Sequence, residues 1–284
     1  MDRSHSQHVL TVDVEDYFHS EDPLVEGWTR HELRVERSMR TVLEACADTG
    51  ARGTFFVLGW VAEQLPRLVS EIAAAGHEVG SHGFAHQFVY RLTPRQLDAD
   101  LQRARAILED QTGAAVPGYR APYFSILRDT RWAYECIARA GHTYSSSVFP
   151  GPNPRYGIPG HPHEPTLVTC RSGALIQEIP ITTLRGPIGC GGVYFRALPY
   201  RWFAGRLEAL GRAGRRAVFY IHPWELDPGK PPAPGSLGLR LRHAIGVKGA
   251  AARLRRLLGE FKFTSMRESL GLQRPSEPAE PGGT

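Results

Sequence analysis

Short apolar, β-rich segments alternate with segments of helical periodicity along most of the chain. Residues 8–14, HVLTVDV, are typical of a buried strand, and residues 36–48 have the spacing of an amphipathic helix. Thr93 and Pro94 provide an N-cap and a first-turn proline for a further helix. The remaining predicted strands cover 53–59, 77–82, 117–123, 142–148, 217–222 and 261–264, with a hairpin over 167–181 and helices over 60–75, 94–111, 129–140, 199–213 and 250–258. Strands alternating with helices indicate parallel βαβ units, and therefore an α/β fold with an open doubly wound sheet or a (β/α) barrel.

A proline-rich segment, residues 149–165, interrupts this alternation. Its six prolines are too closely spaced for a helix or a strand. Loops of this length in compact domains are often functional, so the segment is expected either to overhang a functional site or to cover a sheet edge.

The composition is that of a globular chain. Its 284 residues are 42% hydrophobic and 22% charged, which excludes fibrous and largely disordered classes and suffices for one sizeable domain. The residues from 274 to 284 have the composition of a disordered tail.

The formal net charge of +5 gives only a weak indication of an anionic partner. Eight basic residues lie between Arg240 and Arg267, interleaved with leucines, so the segment 240–267 could contact a membrane surface or could be a solvated helix face. No recognition module for nucleic acid accompanies these residues, so no nucleic-acid partner is expected.

The spacing of the cysteines and the composition of the N-terminal residues indicate the cellular compartment. The four cysteines are far apart in sequence, which favours a reducing environment over a disulfide framework. The first residues contain no apolar signal-peptide core, and no apolar run approaches the length of a membrane span. We therefore expect a cytoplasmic protein, with any attachment to the inner face of the membrane peripheral.

Polar side chains follow four of the predicted strands. In parallel α/β folds the carboxyl ends of the strands meet at one rim, so we expect these side chains to lie together. Carboxylates, imidazoles, a guanidinium and a tyrosine at one rim are what a hydrolytic metal site needs. The residues are Asp13 with Glu15 and Asp16, Ser81 with His82, Arg120 with Tyr123, and His222.

His82 and His86 are four residues apart in SHGFAH, one helical turn, so both imidazoles could bind one ion from one helix face. The alternative is a pair of surface or N-cap histidines. Asp13 lies near the end of a core strand, where a carboxylate is costly unless it is paired or bound to a metal. Arg120 is its candidate partner.

His222 ends the apolar run AVFYIH, where a core histidine is the alternative interpretation. Trp224 and Tyr123 are either core residues or aromatic platforms for sugar rings.

Four motifs, TVDVED, SHGFAH, RAPYFS and YIHPWE, occur in this order over residues 8–228. Together they resemble the polysaccharide deacetylases, the NodB-homology domain of carbohydrate esterase family 4. The details resemble most the exosortase-associated (PEP-CTERM locus) deacetylases, and this resemblance extends to about residue 270. It implies one catalytic domain over residues 1–270, with a family-specific extension over about 225–270.

The resemblance also implies a distorted (β/α) barrel and one divalent metal, Zn²⁺ first and Co²⁺, Ni²⁺ or Mn²⁺ as alternatives, held by one Asp and two His. Position by position, Asp13 matches the catalytic base, His82 and His86 the metal ligands, Arg120 the residue that orients the base, His222 the general acid, and Tyr123 the backbone N–H that stabilises the oxyanion.

Two departures from the family pattern stand out. The usual first motif has two adjacent aspartates, whereas Asp13 is followed by Val14, so the carboxylate ligand is Glu15 or Asp16. Strand alternation favours Glu15, but we prefer Asp16, because a shorter side chain beyond the strand end can turn toward the ion.

In the family, the fourth motif supplies an Asp that holds the acid histidine, and this motif is not evident around HTYSSS. The residue that orients His222 therefore stays open; Glu225 and Asp227 are nearby in sequence.

The expected function is that of a metal-dependent hydrolase of carbon–nitrogen amide bonds. It would remove N-acetyl groups from an acetamido-sugar polysaccharide or its lipid-linked precursor in exopolysaccharide biosynthesis, with Trp224 and Tyr123 contacting the sugar. The alternatives are an O-acetyl esterase, a cyclic amidase whose relatives often lack metal, and a non-catalytic carbohydrate-binding or scaffold protein that uses Trp224 and the segment 240–267.

Overall fold

The computed structural model describes residues 7–19, 25–153, 155–233 and 236–271. The predicted tail lies outside these ranges. The strands are β1 (Gln7–Val14), β2 (Thr54–Val57), β3 (Glu78–Ser81), β4 (Gly118–Tyr119), β5 (Tyr144–Ser145), β6 (Thr166–Thr169), β7 (Leu175–Glu178), β8 (Thr183–Arg185), β9 (Ile188–Gly189), β10 (Val218–Ile221) and β11 (Lys262–Thr264). The α-helices are α1 (Val25–Trp28), α2 (Val35–Thr49), α3 (Gly59–Gln64), α4 (Pro66–Ala74), α5 (Pro94–Thr112), α6 (Ala133–Arg139), α7 (Gly192–Ala197), α8 (Tyr200–Arg212), α9 (Leu237–Ala244), α10 (Val247–Glu260) and α11 (Met266–Ser269). Short 3₁₀ turns cover Val89–Arg91, Pro122–Phe124, Arg128–Thr130 and Pro223–Leu226.

The central sheet has nine strands, and β1 pairs with three of them. Its order is β10-β1-β2-β3-β4-β5-β7-β6, and β11 also pairs with β1. Every pairing in this sheet is parallel except the predicted hairpin of β6 and β7. Seven of the eight residues of β1 are buried, as expected for a parallel strand covered on both faces. The α/β prediction is therefore confirmed, and the carboxyl ends of β1, β2, β3, β4 and β10 point to one side.

The side of the molecule between β5 and β10 is bridged by irregular chain. The backbone N–H of Ile181 donates to the carbonyl of Val148, just beyond β5, at 2.9 Å. On the other flank, the backbone N–H of Tyr220 in β10 donates to the carbonyl of Cys190 at 3.0 Å. The segment 181–190, which contains the small hairpin of β8 and β9, thus replaces a regular barrel strand, and this is where the barrel is distorted.

Helix boundaries follow local sequence signals where those are strong. Thr93 caps α5 in a capping box with Gln96, and Pro94 occupies the first turn, as predicted. The single helix predicted over 60–75 is wrong, because it is split into α3 and α4 where Leu65 precedes Pro66. The hairpin of β8 and β9 and the helix α9 are too short to show periodicity and were not predicted.

In the basic C-terminal segment, helix α10 packs into the core. In α10, Leu254, Leu257 and Leu258 are buried and pack into the core beside α2, so the leucines that suggested a membrane contact are unavailable for one. Within the described ranges, no helix has both the length and the hydropathy that crossing a bilayer requires.

Candidate active site

The carboxyl ends of β1, β3 and β10 and the turn after β4 surround a cavity of about 210 Å³. Eight of the residues singled out from sequence line it: Asp13, Glu15, His82, His86, Tyr123, His222, Trp224 and Glu225. Asn153, Arg155 and Tyr156 of the proline-rich loop also line it, so this loop overhangs the cavity.

Glu15, His82 and His86 form a buried cluster whose potential ligand atoms lie within 4.8 Å of one another. Oε2 of Glu15 is 3.9 Å from Nε2 of His82 and contacts Nε2 of His86. Nδ1–H of His82 donates to the carbonyl of Arg120 at 2.9 Å, which leaves the Nε2 lone pair facing the carboxylate. Burial lowers the pKa of His82 to about 4, so its imidazole is neutral at pH 7.

This donor set fits a divalent metal. One carboxylate and two imidazoles are a ligand set typical of catalytic zinc, which keeps a further position open. Oε2 of Glu15 is buried and faces two ring nitrogens, Nε2 of His82 and Nε2 of His86. Burial raises the pKa of Glu15, but the adjacent His86, His222 and His82 reverse this effect and hold it well below its ordinary value, so the carboxylate is ionised.

The two histidines do not lie on a helix, so the geometric reason given for their pairing is wrong. Residues 82–86 form a loop, in which the Asp100 carboxylate accepts hydrogen bonds from the backbone N–H groups of Phe84 and Ala85 at 2.8 and 2.9 Å. His86 adopts a left-handed backbone conformation with φ of 48°, which turns its ring toward His82. Asp100, on α5, thus holds the loop that brings the imidazoles together.

Asp16, the preferred ligand from sequence, does not join this cluster. Its Oδ2 accepts hydrogen bonds from the backbone N–H groups of Arg34 and Val35 at 2.5 and 2.7 Å, and its Oδ1 accepts from Tyr17. The N–H groups of Arg34 and Val35 lie at the start of α2, where a carboxylate accepts hydrogen bonds from unpaired N–H groups and interacts favourably with the helix dipole. The strand-alternation argument is the one that fits, because Glu15 faces the same side as Asp13.

Asp13 forms a buried ion pair with Arg120. Oδ1 of Asp13 is 2.6 Å from Nη1 of Arg120, and both side chains are almost fully buried. Arg120 also donates to the carbonyl and hydroxyl of Ser146, each at 3.1 Å. The HTYSSS motif therefore fixes the arginine, and Oδ2 of Asp13 is left on the cavity side, 3.8 Å from Nε2 of His222.

Tyr123 lies in a tight turn after β4. Tyr123 and Phe124 have φ of 58° and 52°, and with His86 they are the non-glycine residues of positive φ in the described ranges. Such conformations cost energy and cluster at functional sites. The Tyr123 ring stacks on Phe88 at 3.8 Å between centroids.

His222 is held by a carboxylate that is itself held by an arginine. Nδ1 of His222 is 2.6 Å from Oε1 of Glu225, whose other oxygen contacts Nε of Arg196. Nε2 of His222 faces the cavity, 3.7 Å from Oε1 of Glu15. Burial alone lowers the pKa of His222, but the hydrogen bond to Glu225 and the charges of Glu15 and Asp13 raise it to about 9. This imidazole is therefore protonated at pH 7.

Asp227, the other acid considered near His222, pairs instead with Arg34, whose Nε donates to it at 2.7 Å. The role left open from sequence is thus filled by Glu225. No role was predicted for Arg196, because it lies on α7, 29 residues before the glutamate that it contacts.

Trp224 lines the cavity and stacks with two imidazoles. His222 stacks on it at 5.2 Å and His243 stacks on it at 4.4 Å, with interplanar angles of 20° and 8°. Its indole N–H donates to Oε1 of Glu15 at 3.3 Å. These contacts let Trp224 orient Glu15 and His222, and its role in contacting a sugar stays a prediction.

Comparisons with known proteins show what parts of the chain are similar to. Residues 27–144 match the protein-family model described as polysaccharide deacetylase, and residues 146–271 match one described as a domain of unknown function, DUF3473. Over 95 residues the chain is 30% identical to a peptidoglycan-N-acetylglucosamine deacetylase of Bacillus cereus, covering 33% of this chain and 34% of the relative. Over 139 residues it is 26% identical to a chitooligosaccharide deacetylase of Bradyrhizobium sp., covering 48% and 61%. The chain therefore aligns with about a third of the first relative and less than two thirds of the second.

The fold has a close counterpart among solved structures. The crystal structure of a proposed polysaccharide deacetylase from Mycobacterium smegmatis matches with a TM-score of 0.67 at 18% identity, covering 98% of this chain and 96% of that one. The family model and the relatives confirm the resemblance to the polysaccharide deacetylases, and the solved structure confirms the deacetylase-type fold.

Proposed function

We propose that this chain, with its polysaccharide deacetylase match over residues 27–144, hydrolyses the acetamide bond of an N-acetylated sugar in a glycan. The observation that carries the proposal is the convergence of Asp13, the Glu15–His82–His86 cluster and a protonated His222 around one cavity. Three groups of this kind can supply a base, a cation site and a proton donor. Amide hydrolysis needs all three, because water is a weak nucleophile and an amine is a poor leaving group.

Glu15, His82 and His86 would hold one divalent cation, with zinc first on the chemistry of the donor set. When bound, such a cation supplies Lewis acidity, which polarises a carbonyl and lowers the pKa of water toward about 7.

Asp13 would accept the proton of the attacking water through Oδ2. Arg120 engages the other carboxylate oxygen, so the geometry of the base is fixed before substrate arrives. The backbone N–H of Tyr123 would donate to the developing oxyanion, a contribution typically worth about 3 kcal/mol.

His222 would then protonate the leaving nitrogen from Nε2. Its Nδ1–H is held by Glu225, so the second N–H is directed toward the cavity. This arrangement favours an amide over an ester substrate, because an amine must be protonated to leave whereas an alkoxide leaves more easily.

One catalytic domain over residues 1–270 is supported by the way both matched regions build the cavity. His82, His86 and Tyr123 come from the first region, and His222 and Glu225 come from the second, which includes the extension over about 225–270. We infer that the chain is a cytoplasmic, exosortase-associated deacetylase that acts in exopolysaccharide biosynthesis on the polysaccharide or its lipid-linked precursor.

The test is acetate release from short N-acetylglucosamine oligomers, measured together with the free amines formed in equal amounts. The unaltered chain should release acetate, and Asp13→Asn should not. Release from acetylated xylan alone would assign an O-acetyl esterase. Release from neither, by metal-loaded protein, would favour a non-catalytic glycan-binding role.

A further inference from the structure

Helix α9 carries an apolar strip that no other described part of the chain covers. Six large apolar side chains are exposed in the described residues, and three of them, Leu237, Leu241 and Ile245, lie on α9 or at its C-terminal cap. Their exposed fractions are 73%, 62% and 47%. Their spacing of four residues places them on one helix face.

Arginines border this strip on both sides. With about 100° of rotation per residue, the three apolar side chains span about 80°, and Arg240 and Arg242 each lie about 100° from the centre of the strip. An apolar strip between cations is the pattern of a helix that lies in a membrane interface. We call Leu237, Arg240, Leu241, Arg242 and Ile245 the α9 surface.

The surroundings of the α9 surface are strongly positive. No Asp or Glu occurs from residue 228 to residue 259, a stretch that contains seven Lys and Arg. A groove beside α9 is lined by Lys230, Arg240 and Lys248, and the acid at its edge, Asp227, is already paired with Arg34. An anionic partner therefore fits this surface better than a second copy of the chain, whose positive charge would oppose association.

We propose that the α9 surface docks on an anionic lipid bilayer, with its apolar strip at the boundary of the acyl chains and its arginines among the headgroup phosphates. The same helix also borders the active site. His243 stacks on Trp224, and His243 and Arg242 line the catalytic cavity. Because Arg242 belongs both to the α9 surface and to the lining of the catalytic cavity, docking would hold this edge of the cavity at the bilayer, which, resting on the proposed function, points to a glycan substrate attached to the membrane.

The test is co-sedimentation with vesicles of phosphatidylcholine, with or without about a third of phosphatidylglycerol. The unaltered chain should bind the anionic vesicles at least about tenfold more tightly than the neutral ones, and binding should weaken as salt rises from about 0.1 to about 0.5 M. The variant Leu237→Ser/Leu241→Ser/Ile245→Ser should lose this binding. Leu167→Ser/Leu175→Ser, on the exposed hairpin of β6 and β7, is the matched control and should retain it.

Equal sedimentation with and without vesicles, or full binding by the triple variant, would overturn the proposal. A dimer in light scattering that the triple variant dissociates would also overturn it, because a second copy would then be the occupant. None of the three substituted residues lines the cavity, so acetate release from soluble oligomers should be unchanged in the triple variant. If the chain binds vesicles but releases no acetate, only the proposed function is contradicted. If it releases acetate but does not bind vesicles, only the docking proposal is contradicted.

Discussion

The ends of β3 and β10 each present an imidazole to one cavity, yet the two regions give His82 and His222 different charge states. At β3, His82 donates Nδ1–H to a neutral carbonyl, and burial keeps the ring unprotonated. At β10, His222 donates Nδ1–H to the Glu225 carboxylate, which outweighs burial and keeps the ring protonated. The acceptor of one hydrogen bond therefore decides whether a histidine is a metal ligand or a proton donor.

The largest effect is expected at the β3 end. His82→Ala should abolish stoichiometric metal binding and reduce kcat/KM by about a thousandfold or more, because two remaining ligands hold a metal poorly. Elemental analysis of the purified variant, with acetate release, measures both effects.

The matched control is His142→Ala. His142 is also buried, has its Nδ1 2.9 Å from a backbone carbonyl, and has a pKa lowered to about 4, but it lies outside the cavity. It should keep its metal; equal metal loss in both variants would mean that the loss reflects folding.

At the β10 end, His222→Ala should leave the metal content unchanged and lower kcat on an N-acetylated oligomer by about 10² to 10⁴. The loss should be much smaller on an ester substrate, whose leaving group needs less protonation. Loss of metal in this variant would show that His222 is a ligand and not an acid.

Glu225→Gln should lower the pKa of His222, so that its imidazole becomes neutral at a lower pH, as the imidazole of His82 is. The unaltered chain should lose kcat/KM as pH rises above about 9, because only protonated His222 can donate. Removing the carboxylate lowers this pKa, so the alkaline limb should move to lower pH. A fall of about two units would reduce the rate about tenfold at about pH 8.

Asp227→Asn serves as the control for that pH profile, since Asp227 pairs with Arg34 and not with His222. An alkaline limb that stays in place in Glu225→Gln would remove Glu225 from its role.

The smallest effect on activity is expected for Asp16, whose carboxylate binds the start of α2 and not the Glu15–His82–His86 cluster. Asp16→Asn should cost about 1–2 kcal/mol of unfolding free energy, because the side chain accepts hydrogen bonds at the start of α2. Denaturant unfolding measures this change, and kcat/KM of the folded variant should stay within about twofold of the unaltered chain.

The sequence was informative wherever a side chain follows a strand end. Asp13, His82 and His222 could be grouped in advance because parallel strands deliver their carboxyl ends to one rim. The choice between Glu15 and Asp16 could not be made, because it depends on how the start of α2 approaches β1, a contact between residues 18 and 19 positions apart.

Side chains that act through other side chains were the least predictable. Arg196 and Asp100 position Glu225 and the His82–His86 loop from distant helices, and no local pattern marks them. The stacking of His243 on Trp224 was not predicted either, because the sequence neighbours of Trp224 do not reveal that α9 packs against its ring.

The central claim is that the cation site consists of Glu15, His82 and His86. The most direct test compares the bound divalent metal of Glu15→Ala and Asp16→Asn, purified side by side and reloaded under identical conditions. We expect Glu15→Ala to lose the metal and Asp16→Asn to keep one equivalent. A folded Glu15→Ala that retains its metal while Asp16→Asn loses it would contradict the account.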